Sequence, residues 1–148
     1  MANAAIPSLA LWGLSSEMTM LVFSIILGFI QLQLAAATMT AVRGGKWNMG
    51  PRDEPGAPLT KHAGRLDRAF KNFQETFPFF AVAVLAAAAT GRHSTLTVMG
   101  AELYVAARIL YVPCYAFALT GLRTLVYVAA TLGIVAILVG LCTPGAMS

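Results

Sequence analysis

Residues 79–89 read FFAVAVLAAAA, an unbroken apolar run. A membrane-crossing β-strand alternates apolar and polar side chains over about ten positions, so this run excludes such a strand and predicts a helix. Working outward, the predicted helix covers residues 66–90, its apolar part beginning near Ala69. Three further stretches share its character, at 18–42, 96–119 and 122–141. Each holds roughly the 20 residues that a helix rising about 1.5 Å per residue needs to cross a hydrocarbon core about 30 Å thick.

Composition agrees with that reading. Of the 148 residues 58% are hydrophobic and only 11% charged, against about 25% charged in a soluble domain, and the mean hydropathy is +0.74. The expected fold is therefore all-α: a single integral membrane domain spanning residues 1–148, built as a four-transmembrane-helix bundle in a lipid bilayer. Met1–Ser16 is apolar but has no cationic n-region, so it is not expected to be a cleaved signal peptide. It is expected to be an interfacial lead-in anchored by Trp12.

The charges fall unevenly along the chain. Arg43, Lys46, Arg52, Lys61 and Arg65 lie between the first two stretches, followed by Arg68 and Lys71; the next turn has only Arg92 and His93, and the termini carry no Lys or Arg. Cations flanking membrane spans stay on the cytoplasmic side, which predicts a cytoplasmic 43–64 loop, the turn before Arg123 on the same side, and both termini opposite. The pI near 9.4 follows from this clustering and requires no nucleic-acid partner. Cys114 and Cys142 suggest neither a disulfide nor a metal site, because the chain has no CxxC and no His-rich cluster.

Gly44, Gly45, Gly50, Pro51, Pro55, Gly56 and Pro58 crowd the 43–64 loop and predict irregular backbone throughout, either a functional lid or a mobile segment. Trp47, like Trp12, fits an aromatic belt at the membrane interface.

Polar residues form rows inside two of the spans. Arg68, Asn72 and Glu75, at i, i+4 and i+7, share one face of the second helix, and Pro78 follows within a turn as an expected kink. Arg108, Tyr111 and Tyr115 share a face of the third, with Tyr104 close to the same stripe and Pro113 as a bend. Ionisable groups in a membrane are costly unless they face an interior or a wet cavity. The rows mark either a ligand site or an internal ion-pair network that locks helices together. Arg123 opens the fourth helix at the end of the bundle where the second begins. Several arginines there face one deeply placed acid, Glu75, so the expected ligand is an anion carrying one ammonium group.

At these residues the sequence resembles the MAPEG superfamily, which includes microsomal glutathione transferases and leukotriene synthases. The resemblance rests on Arg68-x-x-x-Asn72-x-x-Glu75-x-x-Pro78, on Arg108-x-x-Tyr111-x-x-x-Tyr115, and on four spans in about 150 residues. It implies a homotrimer that binds glutathione as co-substrate between subunits near the cytoplasmic face. By resemblance Arg43, Arg68, Asn72, Glu75, Arg108, Tyr111 and Tyr115 would hold glutathione, and Arg123 would be the catalytic residue that stabilises its thiolate. The second substrate would be a lipophilic electrophile arriving through the bilayer, so the resemblance implies a glutathione-dependent transferase or peroxidase. The Pro/Gly-rich first loop is similar to that of bacterial-looking members, which implies a bacterial inner membrane. The chain departs from the pattern at Thr76, where some members carry tyrosine, and in a turn before Arg123 that is one residue longer than in the leukotriene synthases. Two alternatives stand beside this reading: a non-catalytic four-helix subunit that binds lipid or packs into a larger membrane complex, and a transporter or channel, which the lack of inverted repeats disfavours.

Overall fold

A computed structural model describes residues 13–143. The lead-in expected over residues 1–16, with its Trp12 anchor, lies mostly outside the described residues. Four long helices are present, each long and apolar enough to cross a membrane: α1 (Ser16–Arg43), α3 (Lys61–Thr90), α4 (Thr95–Ala116) and α5 (Thr120–Cys142), with a short α2 (Gly45–Met49) between the first two. The all-helical four-span bundle expected from the sequence is what the chain adopts.

The boundaries differ from the apolar pattern because caps set them. Ser15 Oγ accepts the Met18 N–H to open α1, and Thr60 Oγ1 accepts the Ala63 N–H, so α3 starts at Lys61, before the expected residue 66. A side-chain acceptor at the N-cap satisfies an N–H that has no partner within the helix. The third span stops at Ala116, short of the expected residue 119. Ala118 there takes a left-handed conformation (φ 60°), and the Leu119 N–H returns to the Cys114 carbonyl. The fourth span begins at Thr120, before the expected residue 122, and so takes in Gly121. Pro78 and Pro113 lie within α3 and α4, which both continue through them.

The expectation of wholly irregular backbone over 43–64 is also corrected. Gly45–Met49 makes a short helix, and the connection is ordered by its own side chains. Arg43 and Arg52 stack over the Trp47 ring at 4.5 and 5.4 Å, the indole N–H donates to the Glu54 carbonyl, and Arg43 donates to the Ala57 carbonyl. Trp47 thus fastens the loop, a role beyond the interfacial anchoring expected of it. Gly56 is needed in that fastening, since a Cβ there would stand 2.7 Å from both Arg43 and Trp47.

Within the bundle α4 and α5 make the closest pair, α1 packs on α3 and α4, and α3 touches α4 and α5. The α4–α5 seam closes at two glycines. A Cβ on Gly133 would sit 2.6 Å from the Gly100 carbonyl oxygen and 2.9 Å from the Tyr104 nitrogen. Small residues allow such backbone approach between membrane helices, where packing replaces the hydrophobic effect as the associating force. Gly133→Val is expected to destabilise the subunit by at least about 1–3 kcal/mol, the usual cost of overpacking, read as a lower unfolding midpoint in detergent. Tyr104, fully buried and stacked on Phe80 with ring centroids 4.0 Å apart, fills the centre of the core on the adjoining turn.

Candidate functional site

The two polar rows meet at the end of the bundle that carries the 43–60 connection and the α4–α5 turn. Arg108, only 1% exposed, is the largest fully buried side chain. One of its terminal nitrogens donates to Asn72 Oδ1 at 2.8 Å and the other to Thr76 Oγ1, while the faces of Tyr104, Tyr111 and Tyr127 lie 5.3–5.7 Å from the guanidinium carbon. Three aromatic faces and two neutral acceptors surround the cation. Among the described residues no carboxylate lies within ion-pair distance of it.

Asn72 carries this polarity outward. Its oxygen is fixed by Arg108, which turns its NH2 group toward Glu75, where it donates to Oε2 at 3.3 Å. Cation, amide and acid therefore form one chain from the core to the surface of the subunit. Glu75 itself is exposed, roughly 21 Å along α3 from its first residue at about 1.5 Å per residue.

Beside this chain lies a pocket of about 260 Å³ lined by Asn72, Tyr111, Tyr115, Arg123, Thr124 and Tyr127. Tyr115 stands between two cations, with Arg123 4.9 Å and Arg68 5.9 Å from its ring centre. The predicted residues Asn72, Tyr111, Tyr115 and Arg123 thus share one cavity, and Arg68 and Glu75 flank it. Arg108 lies behind the cavity and orients Asn72; it is not part of the lining. Arg43 belongs to the cluster around Trp47, and its described contacts do not join it to the Arg108 group.

A second, larger groove adjoins the first. It measures about 630 Å³, runs between α3 and α5, and is lined mainly by apolar side chains such as Phe79, Val82, Ile134 and Leu138, with Glu75, Thr76 and Tyr127 at its polar part. Tyr127 lines both cavities.

The sequence profile of the MAPEG family matches residues 20–143, nearly the whole chain. The chain belongs to the MAPEG family. It is therefore an integral membrane protein of the superfamily concerned with eicosanoid and glutathione metabolism. Searches of curated proteins and of solved structures return no match.

Three residues at the site of this MAPEG chain escape a reading by rows. Thr76 follows Glu75 and, four residues beyond Asn72, accepts from Arg108 and shares a 3.3 Å contact with the Tyr104 hydroxyl. Thr124 and Tyr127 follow Arg123 at i+1 and i+4. The i+4 spacing was available as a signal for Thr76 and Tyr127, because such pairs share a helix face.

Proposed function

We propose that this MAPEG protein binds glutathione and transfers its thiolate to lipophilic electrophiles. The observation that carries the reading is the junction of the two cavities at Tyr127: a polar, cation-flanked pocket opens beside an apolar groove between α3 and α5. Glutathione offers two carboxylates, one ammonium and a thiol. Arg68 and Arg123 supply charge for the carboxylates and the sulfur, while Glu75 suits the ammonium. Only the thiolate attacks electrophiles, and a free thiol has a pKa near 8.5. A guanidinium within about 4–6 Å favours the anion and lowers that value by about one to three units. Arg123, on the pocket wall, fits that task.

The exposed Glu75 also supports assembly. A homotrimer would bring neighbouring helices over the α3–α5 groove and remove Glu75 from lipid. It would also carry Arg43 from one subunit toward the pocket of the next, a route to the site that a single subunit does not offer. The cations on the 43–60 connection favour a cytoplasmic orientation for this end of the bundle, and the likeness to bacterial-looking members favours a bacterial inner membrane.

Calorimetry of the detergent-purified protein with glutathione tests the reading. Saturable binding accompanied by proton release near pH 7 is expected, with the release lost in Arg123→Ala and the affinity reduced in Arg68→Ala. Absence of binding at millimolar glutathione would overturn it and favour a non-catalytic membrane subunit.

A further inference from the structure

Among the described residues Tyr127 is the one that lines both cavities. A ligand in the polar pocket and an apolar molecule in the groove therefore meet beside its side chain. Tyr127 stands four residues beyond Arg123, on the same face of α5 and about 6 Å further along the helix axis. The Arg108 guanidinium faces its ring at 5.7 Å, a cation–π contact that holds the ring in place. Arg108 is in turn fixed by Asn72 and Thr76.

The other hydroxyls around this junction are placed differently. Thr76, Thr124 and Thr131 donate to the backbone carbonyls of Asn72, Thr120 and Tyr127, and each lines one cavity only. The Tyr104 hydroxyl meets Thr76 inside the core. Tyr111 and Tyr115 line the polar pocket alone. Tyr127 is thus the hydroxyl that borders the groove and the pocket together, one helical turn from the guanidinium of Arg123.

We propose that Tyr127 is the proton donor of this site: its hydroxyl gives a proton to the oxygen that the attacked carbon releases, which suits the site to electrophiles, epoxides foremost, whose reaction with a thiolate leaves the charge on oxygen. The inference rests on the thiolate reading of the pocket. When the glutathione thiolate attacks an epoxide carbon, the C–S bond forms as the C–O bond breaks, and the electron pair of that bond passes to the oxygen. The oxygen takes the phenolic proton and becomes a hydroxyl of the conjugate; the phenolate left behind regains a proton from water. Phenols, with an ordinary pKa of about 10, give up a proton far more readily than water at about 15.7. A positioned phenol therefore spares the reaction a bare alkoxide beside an apolar groove, where an unpaired charge is costly. An aryl halide makes no such demand, because the halide departs as the anion. Arg123 serves the sulfur and Tyr127 the oxygen.

Tyr127→Phe, which removes a single oxygen, tests the assignment in the full-length protein in detergent. Conjugation rates at saturating glutathione are measured with an apolar epoxide, styrene oxide, and with an aryl chloride, chlorodinitrobenzene. In Tyr127→Phe the ratio of the epoxide rate to the aryl chloride rate is expected to fall about 100-fold or more, the usual contribution of a positioned acid. Tyr115→Phe, which takes a hydroxyl from the polar pocket alone, is expected to move both rates together. A ratio that Tyr127→Phe leaves where it was overturns the proton donor, whether both rates fall or neither does. Calorimetric binding of glutathione with proton release in the same sample then shows that the thiolate reading survives. A wild type that does not bind glutathione at millimolar concentration overturns that reading and the donor with it.

Discussion

Replacing Arg123 by alanine is expected to slow thiol conjugation near pH 7 by about 10- to 1,000-fold. The range corresponds to the one to three pKa units by which a nearby guanidinium stabilises an anion. The pH–rate profile should move to higher pH in the variant and recover its rate in alkali, where solvent removes the proton without help. Binding of glutathione should fall far less, because Arg68 and Glu75 remain. Stopped-flow measurement with a generic aromatic electrophile across the neutral to alkaline range reads both effects. A profile that keeps its position would take Arg123 out of the mechanism. In this chain Arg123 rests 4.9 Å above the Tyr115 ring and lines the pocket, so geometry already aims the cation at the cavity.

Arg108→Gln is expected to weaken glutathione binding by about 10- to 100-fold without any contact between Arg108 and the ligand. Hydrogen bonds from a charged donor contribute about 1.5–3 kcal/mol, and each 1.4 kcal/mol is a factor of ten. Losing the guanidinium releases the Asn72 oxygen and with it the orientation of the amide toward Glu75. Asn72→Ala in the Arg108→Gln background should then add little, since both changes break the same chain; such non-additivity is the mark of coupled groups. Thr76→Val should give a smaller loss, and Thr76→Ser should restore it, because only the acceptor oxygen is needed. Unchanged far-ultraviolet circular dichroism would separate these effects from unfolding. If the double variant instead loses the sum of the two single losses, Arg108 acts on binding by a route other than Asn72.

The residues that disappointed or surprised show how far periodicity reaches. Spacing places Arg68, Asn72 and Glu75 on one face of α3 and Arg108, Tyr111 and Tyr115 on one face of α4, and the structure turns both faces toward the same end of the bundle. The row in α4 divides, however. Arg108 is sealed in the core while Tyr111 and Tyr115 reach the pocket, because the tight Gly100–Gly133 seam draws α4 against α5 and sets how deep each turn lies. Arg43 reads as a site cation by position, yet the fold of its own loop occupies it. Glu17 is buried against His93 and Thr97, which lie more than 70 residues away in the chain, so no local spacing brings the three together.

The sequence by itself determined the number of spans, their approximate limits, the membrane setting and the family, since these follow from local properties: run length, charge placement and spacing on single helices. Tertiary structure alone decided which polar faces meet, which guanidinium lies behind the pocket and which lines it, and that Tyr127 joins a polar cavity to an apolar groove. The physical reason is that helical periodicity fixes direction around one axis, whereas contact between helices depends on their relative rotation and depth, and those are set by close packing at a few small residues.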